Sequence, residues 1–220
     1  MFAALPNLRR RLRLFSLLAG LSLVTGCLEF EQEIVLEPDG SGRTVVRYAV
    51  QAGDVNSNPA LAGLLLDRDK IIEHYSGRPG LRLEGVDVSD QGKMRLVRLH
   101  IAFDDVAALS DEVIAYSWGV EGLQRVFRIH VQKKQFRQPT SKMQPALVQA
   151  LQGNGFRFKA RLPAKIVETN AEKAEWSSAE WFVPLGFFAD SSETSRMLYA
   201  KIETSTWDAV KGWFAGLFGP

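Results

Sequence analysis

The chain has a single cysteine, Cys27, and only three histidines, His74, His100 and His130. One thiol cannot form a disulfide framework within the chain. The histidines show no metal-ligand spacing, so neither a metal nor a cofactor is expected. No apolar run reaches the roughly 20 residues that a helix needs to span a bilayer. There is no Gly-x-Ser-x-Gly elbow, and the glycine runs lack the lysine of a phosphate loop. No catalytic residues are therefore expected. An enzyme would need a triad assembled in three dimensions from the dispersed Ser and Asp residues.

Acid is missing from the amino terminus: none precedes Glu29, whereas Arg9, Arg10, Arg11 and Arg13 crowd the start. Leu14 to Val24 is then an apolar core of roughly a dozen residues, too short for a span and right for a secretion signal. It runs into Leu23-Val24-Thr25-Gly26-Cys27, which reads as a bacterial lipobox. Val24, Thr25 and Gly26 suit signal-peptidase recognition, and the Cys27 thiol is the nucleophile for attachment of a diacylglycerol. The competing reading is an ordinary signal peptide with an incidental cysteine. With residues 1–26 removed and Cys27 acylated, no free thiol remains and the domain folds without disulfides, in a compartment that permits them.

The signal takes four arginines and no acid, so of 27 basic residues 23 remain against 25 acidic ones. A mature part near −2 has no net basic charge with which to hold nucleic acid. At 46% apolar and 24% charged residues, the chain has the composition of a globular protein.

The mature chain alternates in short segments. Leu28 to Leu36 and Arg43 to Gln51 read as a hairpin around Pro38-Asp39-Gly40-Ser41-Gly42, with acids and bases on its outer face. Asn58-Pro59 begins a helix, and Asp67 or Asp69 can cap a second start. Leu81 to Val88, with a phase shift at Gly85 that suggests a bulge, pairs with Lys93 to Phe103. Asp104 caps a short helix. Val113 to Val120 and Leu123 to Lys133 form another hairpin. A helix from about Ser141 to Gln152 follows, then strands from Phe156, near Ser178 to Leu185, and near Ser195 to Glu203. Glu168 to Glu175 reads as a loop.

Gly26-Cys27, Pro38-Asp39-Gly40-Ser41-Gly42, Leu162-Pro163-Ala164-Lys165-Ile166 and Thr169-Asn170-Ala171, with Trp176 or Trp181 beyond, together resemble the LppM-type bacterial lipoproteins. The resemblance spans most of the mature chain through short, mainly turn-forming motifs. It implies an envelope α+β domain in which a curved antiparallel sheet wraps helices, with lipid or glycolipid binding and no catalytic residues. Members commonly end in a membrane-spanning helix; this chain has only a short tail.

The expected organisation is a lipoprotein signal peptide (1–26), a single α+β domain (27–205) with curved antiparallel sheets packed on a few short helices, and a tail helix (206–220). The protein is expected in the bacterial envelope, at the outer membrane of a Gram-negative host or otherwise on the outer face of the plasma membrane. Its expected partners are the membrane, through acylated Cys27, and a lipid, glycolipid or envelope protein. The leading expectation is a binding domain without enzymatic activity; the alternative is a structural or assembly lipoprotein with no small ligand. Two surfaces are candidates. Arg98 and His100, Arg128 and His130, and Arg157, Lys159 and Arg161 point outward on their strands and would contact anionic headgroups if those strands adjoin. In the tail, Trp207, Val210, Trp213, Phe214, Leu217 and Phe218 fall within one arc of roughly 140°, an apolar face for the domain's own sheet or for the membrane interface.

Overall fold

The computed structural model describes residues 29–51, 65–133, 154–189 and 193–203. The described chain is built of β1 (Glu29–Leu36), β2 (Gly42–Gln51), α1 (Arg68–Ser76), β3 (Leu81–Gln91), β4 (Met94–Phe103), a 3-10 turn (Val106–Leu109), β5 (Ile114–Glu121) and β6 (Gln124–Gln132). It continues with β7 (Gly155–Arg161), β8 (Ile166–Thr169), β9 (Lys173–Ala174), β10 (Ser178–Pro184), α2 (Leu185–Ala189) and β11 (Ser195–Ile202).

The strands form two sheets, a larger one in the order β3-β4-β2-β1-β7-β10-β9 and a smaller one in the order β5-β6-β11-β8. Each expected hairpin is present, and the bulge falls between Leu83 and Gly85. Among the described strands one neighbouring pair is parallel, β1 with β7.

Alternation decides which face is covered. In β2, Thr44, Val46, Tyr48 and Val50 are buried while Arg43, Val45, Arg47 and Ala49 point away. The inner face of the larger sheet then divides into two regions. Over β1, β7 and β10 lies the smaller sheet, whose Phe127, Ile129, Val131, Leu198, Ala200 and Ile202 meet Ile34, Phe158, Trp181 and Val183. Over β2 and β4 lies α1, where Ile71 and the preceding Leu66 meet Val46, Tyr48, Val97 and Leu99. Asp67 caps α1 by accepting from the Asp69 and Lys70 amides. Ile71 is its buried residue, and Ile72 is exposed.

This corrects the expected fold class. The described residues hold eleven strands against two short α-helices, and most of the cover expected from helices comes from a second sheet. The physical reason is that β5, β6 and β11 each carry a continuous apolar face, and two such faces bury one another. Antiparallel pairing is also not the whole pattern, because β1 joins β7 in parallel. Glu168 to Glu175, read as a loop, contributes part of β8 and all of β9.

Candidate functional site

The outer face of the larger sheet carries the densest array of charged side chains that sequence pattern had singled out. Its register sets Asp87, Arg98, Arg47, Glu31, Arg157 and Phe182 in one row across six strands. The adjacent row holds His100, Val45, Glu33, Lys159 and Glu180. Acids and bases thus intermix, with Glu31 between Arg47 on β2 and Arg157 on β7 and with Arg98 directly beside Arg47. Arg47 meets Glu33 at 3.2 Å, Arg43 meets Glu84 at 3.3 Å, Lys159 bonds Glu31, and Arg157 bonds Glu180. The Glu31 carboxylate, accepting from Lys159, holds that ammonium's pKa above its ordinary value. These exposed cross-strand pairs each contribute little to stability.

The seven outward arginine, lysine and histidine residues do not form one surface. Arg98, His100, Arg157, Lys159 and Arg161 lie on the larger sheet, with Arg98 three strands from Arg157. Arg128 and His130 lie on the outer face of the smaller sheet, which points the other way. The repeated Arg-apolar-His pattern on β4 and β6 therefore does not bring its two copies together. Two apolar faces packed on each other send their polar faces to opposite sides.

Near the Glu29 end of the larger sheet's outer face is an open groove of ≈ 580 Å³. Arg98, Arg157, Asp87, Leu96 and Phe182 help line it. The Arg157 guanidinium stands 5.6 Å over the Phe182 ring. A second open groove of ≈ 340 Å³ lies between Trp181, Arg196 and Asn170.

Inside, one polar chain crosses between the sheets. The Tyr116 hydroxyl donates to Gln32 Oε1 at 2.6 Å, Gln32 Nε2 donates to Thr44 Oγ1 at 3.3 Å, and Thr44 Oγ1 donates to the Glu33 carbonyl at 2.8 Å. Burial pushes the Tyr116 phenol pKa well up, so it remains a donor. The only sign of this chain in the sequence is Gln32 at an inward position between Phe30 and Ile34. Tyr116→Phe leaves the Gln32 oxygen buried without that donor. The expected cost is about 1–3 kcal/mol, checked by urea unfolding; an unchanged midpoint would assign this chain no stabilising role.

Two of the turn motifs prove to be pins between the sheets. At the β1–β2 turn, the Pro38 carbonyl accepts from Trp118 Nε1 at 3.3 Å and from Arg125 at 2.8 Å, both in the smaller sheet. Asp39 accepts from the Ser41 amide and hydroxyl, which lowers its pKa, and Gly40 takes φ +96 with Trp118 against it. At the end of β8, Asn170 imitates a peptide group. Its Nδ2 donates to the Met197 carbonyl at 2.8 Å, and its Oδ1 accepts from the Tyr199 amide at 2.9 Å and from Trp181 Nε1 at 3.0 Å. The bonds to Met197 and Tyr199 extend the β8–β11 ladder through a side chain, and the bond to Trp181 ties it to the larger sheet. Trp118, Arg125 and Tyr116 carried no sequence signal for these roles, because each acts on a segment roughly 80 residues away.

Val24, Thr25, Gly26 and Cys27 lie outside the described residues, as do Trp207, Val210, Trp213, Phe214, Leu217 and Phe218. The helices read from Asn58-Pro59 and from Ser141 also lie largely outside them. Among the described residues, no helix is long and apolar enough to cross a membrane, and no group of three metal-binding side chains occurs.

No family model matches the chain. No curated protein matches it either. Among solved structures, it has as a neighbour the folded domain of LppM from Mycobacterium tuberculosis, determined by NMR, at 15% identity and a TM-score of 0.47, over 83% of this chain and 93% of that one.

Proposed function

We propose that this protein is a lipid-anchored domain of the bacterial envelope, without enzymatic activity, that holds an amphiphile or envelope partner at an open surface. The observation that carries this reading is the place of the ≈ 580 Å³ groove. Phe30 helps line it, and Cys27 is three residues before Phe30, at most about 11 Å of extended chain. An acylated Cys27 holds this end of the sheet against the headgroups. Arg157 then presents a cation over the Phe182 ring, and Arg98 and Leu96 line the same groove, a combination suited to an anionic amphiphile. The inter-sheet layer is filled by side chains, which favours surface binding over an enclosed ligand. Leu28 after the cysteine, where an acid would retain a lipoprotein at the inner membrane, favours the outer membrane in a Gram-negative host. Elsewhere the site is the outer face of the plasma membrane.

The test is native mass spectrometry of protein purified from its own membrane, beside Cys27→Ala and Arg98→Glu. A covalent diacylglycerol lost in Cys27→Ala, and a non-covalent amphiphile depleted in Arg98→Glu, are expected. An unmodified native cysteine overturns the anchor, and equal amphiphile in Arg98→Glu overturns the groove.

A further inference from the structure

Seven large apolar side chains are exposed among the described residues; four of them, Val120, Leu123, Val167 and Trp176, lie at the end of the sandwich opposite Glu29, and a fifth, Val35, lies at that end but points with Glu31 and Glu33 onto the larger sheet's outer face. Leu123 is 78% exposed and Trp176 69%. Single exposed apolar residues are ordinary, whereas a concentration at one end marks a contact surface.

The chain leaves the described structure between two of these residues. Ile202, near the end of β11, pairs with Arg125, two positions after Leu123. The Glu203 amide donates to the Lys165 carbonyl at 2.8 Å, and the next residue, Ile166, donates to the Trp176 carbonyl at 2.8 Å. Arg125, Ile202 and Ile166 lie on three adjacent strands, so about 10 Å separates the outer two. The described chain thus ends, at Glu203, in the middle of this apolar end, with residues 204–220 still to follow.

We infer that residues 204–220 of this same chain are the occupant of that surface, with the arc from Trp207 to Phe218 laid against Leu123 and Trp176. Three features support the choice. The segment begins at the surface. Its spacing predicts a helix of about 18 Å over Trp207 to Phe218, long enough to cover three strands. Its polar side lacks the basic stripe by which an interfacial helix holds anionic lipid. The acylated amino terminus is also at the other end of β1, about 23 Å away along the strand, so a tail on this surface is not beside the Cys27 anchor. The inference is independent of the groove and of what the groove holds, and it rests on the proposed function only for the acylated Cys27.

Disulfide trapping tests it in the mature acylated protein in membranes, where Cys27 offers no free thiol. Leu123→Cys is combined with Trp213→Cys on the apolar arc or with Lys211→Cys on the opposite side, and each single variant sets the background. The tether is nearly equal for both pairs, so a docked face is expected to cross-link at least about five-fold faster through Trp213→Cys. Equal rates overturn the inference. Deletion after Glu203 in the otherwise native sequence gives a second readout, with exchange of the amides of 120–124 expected to rise about ten-fold. Unchanged exchange with weakened vesicle binding places the arc in lipid instead, and unchanged exchange with unchanged vesicle binding leaves it to another protein; either overturns the inference.

Discussion

Trp181→Ala is expected to remove about 4 kcal/mol of stability, within the range for truncating a buried aromatic side chain. Trp181 is 1% exposed in the layer between the sheets, with the Phe127 ring 6.3 Å away. Its indole N–H also donates to Asn170, whose remaining bonds hold β11. Truncation thus opens a cavity and frees one arm of a pin. Since domains of this kind are stable by about 5–15 kcal/mol, the variant stands near the edge of folding. Trp181→Phe separates the two effects. It keeps much of the apolar bulk, loses the donor, and is expected to cost substantially less than Trp181→Ala. Combined with Asn170→Ala, its cost is expected to be less than additive, because both changes break the same bond. Urea unfolding measures the wild type, the three single variants and the double variant, and a loss below about 1.5 kcal/mol for Trp181→Ala would refute its central place in the core.

Gly42→Ala is expected to cost about 3 kcal/mol, the upper end for overpacking. Conformational freedom is not the reason, since Gly42 does not adopt a left-handed φ. The reason is space. A Cβ there would lie 2.1 Å from the Val35 carbonyl oxygen and 2.8 Å from the Phe103 ring. The ring can turn, but the carbonyl belongs to β1, so relief requires moving β1 against β2. Gly119→Ala is the control, because a Cβ there meets nothing within 4 Å, and its effect is expected within about 0.5 kcal/mol. Equal melting temperatures for the two variants would mean that the β1–β2 turn yields where this packing says it cannot.

The hairpins were legible because each is a local matter. Alternation in Arg43 to Gln51 and in Lys93 to Phe103 fixes an inner face, and the Asp-Gly-Ser-Gly and Asp-Gln-Gly segments supply the turns between strands. The phase shift at Gly85 revealed its bulge for the same reason. How the hairpins combine was not legible. A strand's apolar face reads the same whether a helix or another sheet covers it, so Phe127, Ile129 and Val131 gave no sign that they would meet Phe158 and Trp181. On the larger sheet's charged face, the facing of Glu31 and Glu33 with Arg43 and Arg47 was legible within the first hairpin, whereas their meeting with Arg157 and Lys159, and the arrival of Glu180 beyond, comes only through the register. Asn170 and the Pro38 turn were visible as motif residues, but their work as pins depends on Trp118, Arg125 and Trp181, all distant or unmarked in sequence.

The parallel pairing of β1 with β7 imposes an order of events on biogenesis. Glu29 finds its neighbour in Gly155, more than a hundred residues later, and the loop between them must close before that ladder forms. A chain delivered amino terminus first presents β1 to β4 long before β7 and β10 emerge. Until then β1, which ends as an interior strand, is an open edge able to pair with any passing strand. Such non-local closure makes folding slow. The vulnerable moment for this protein is therefore the interval between the emergence of β1 and the arrival of Gly155, and its folding yield is set by what shields β1 during that wait.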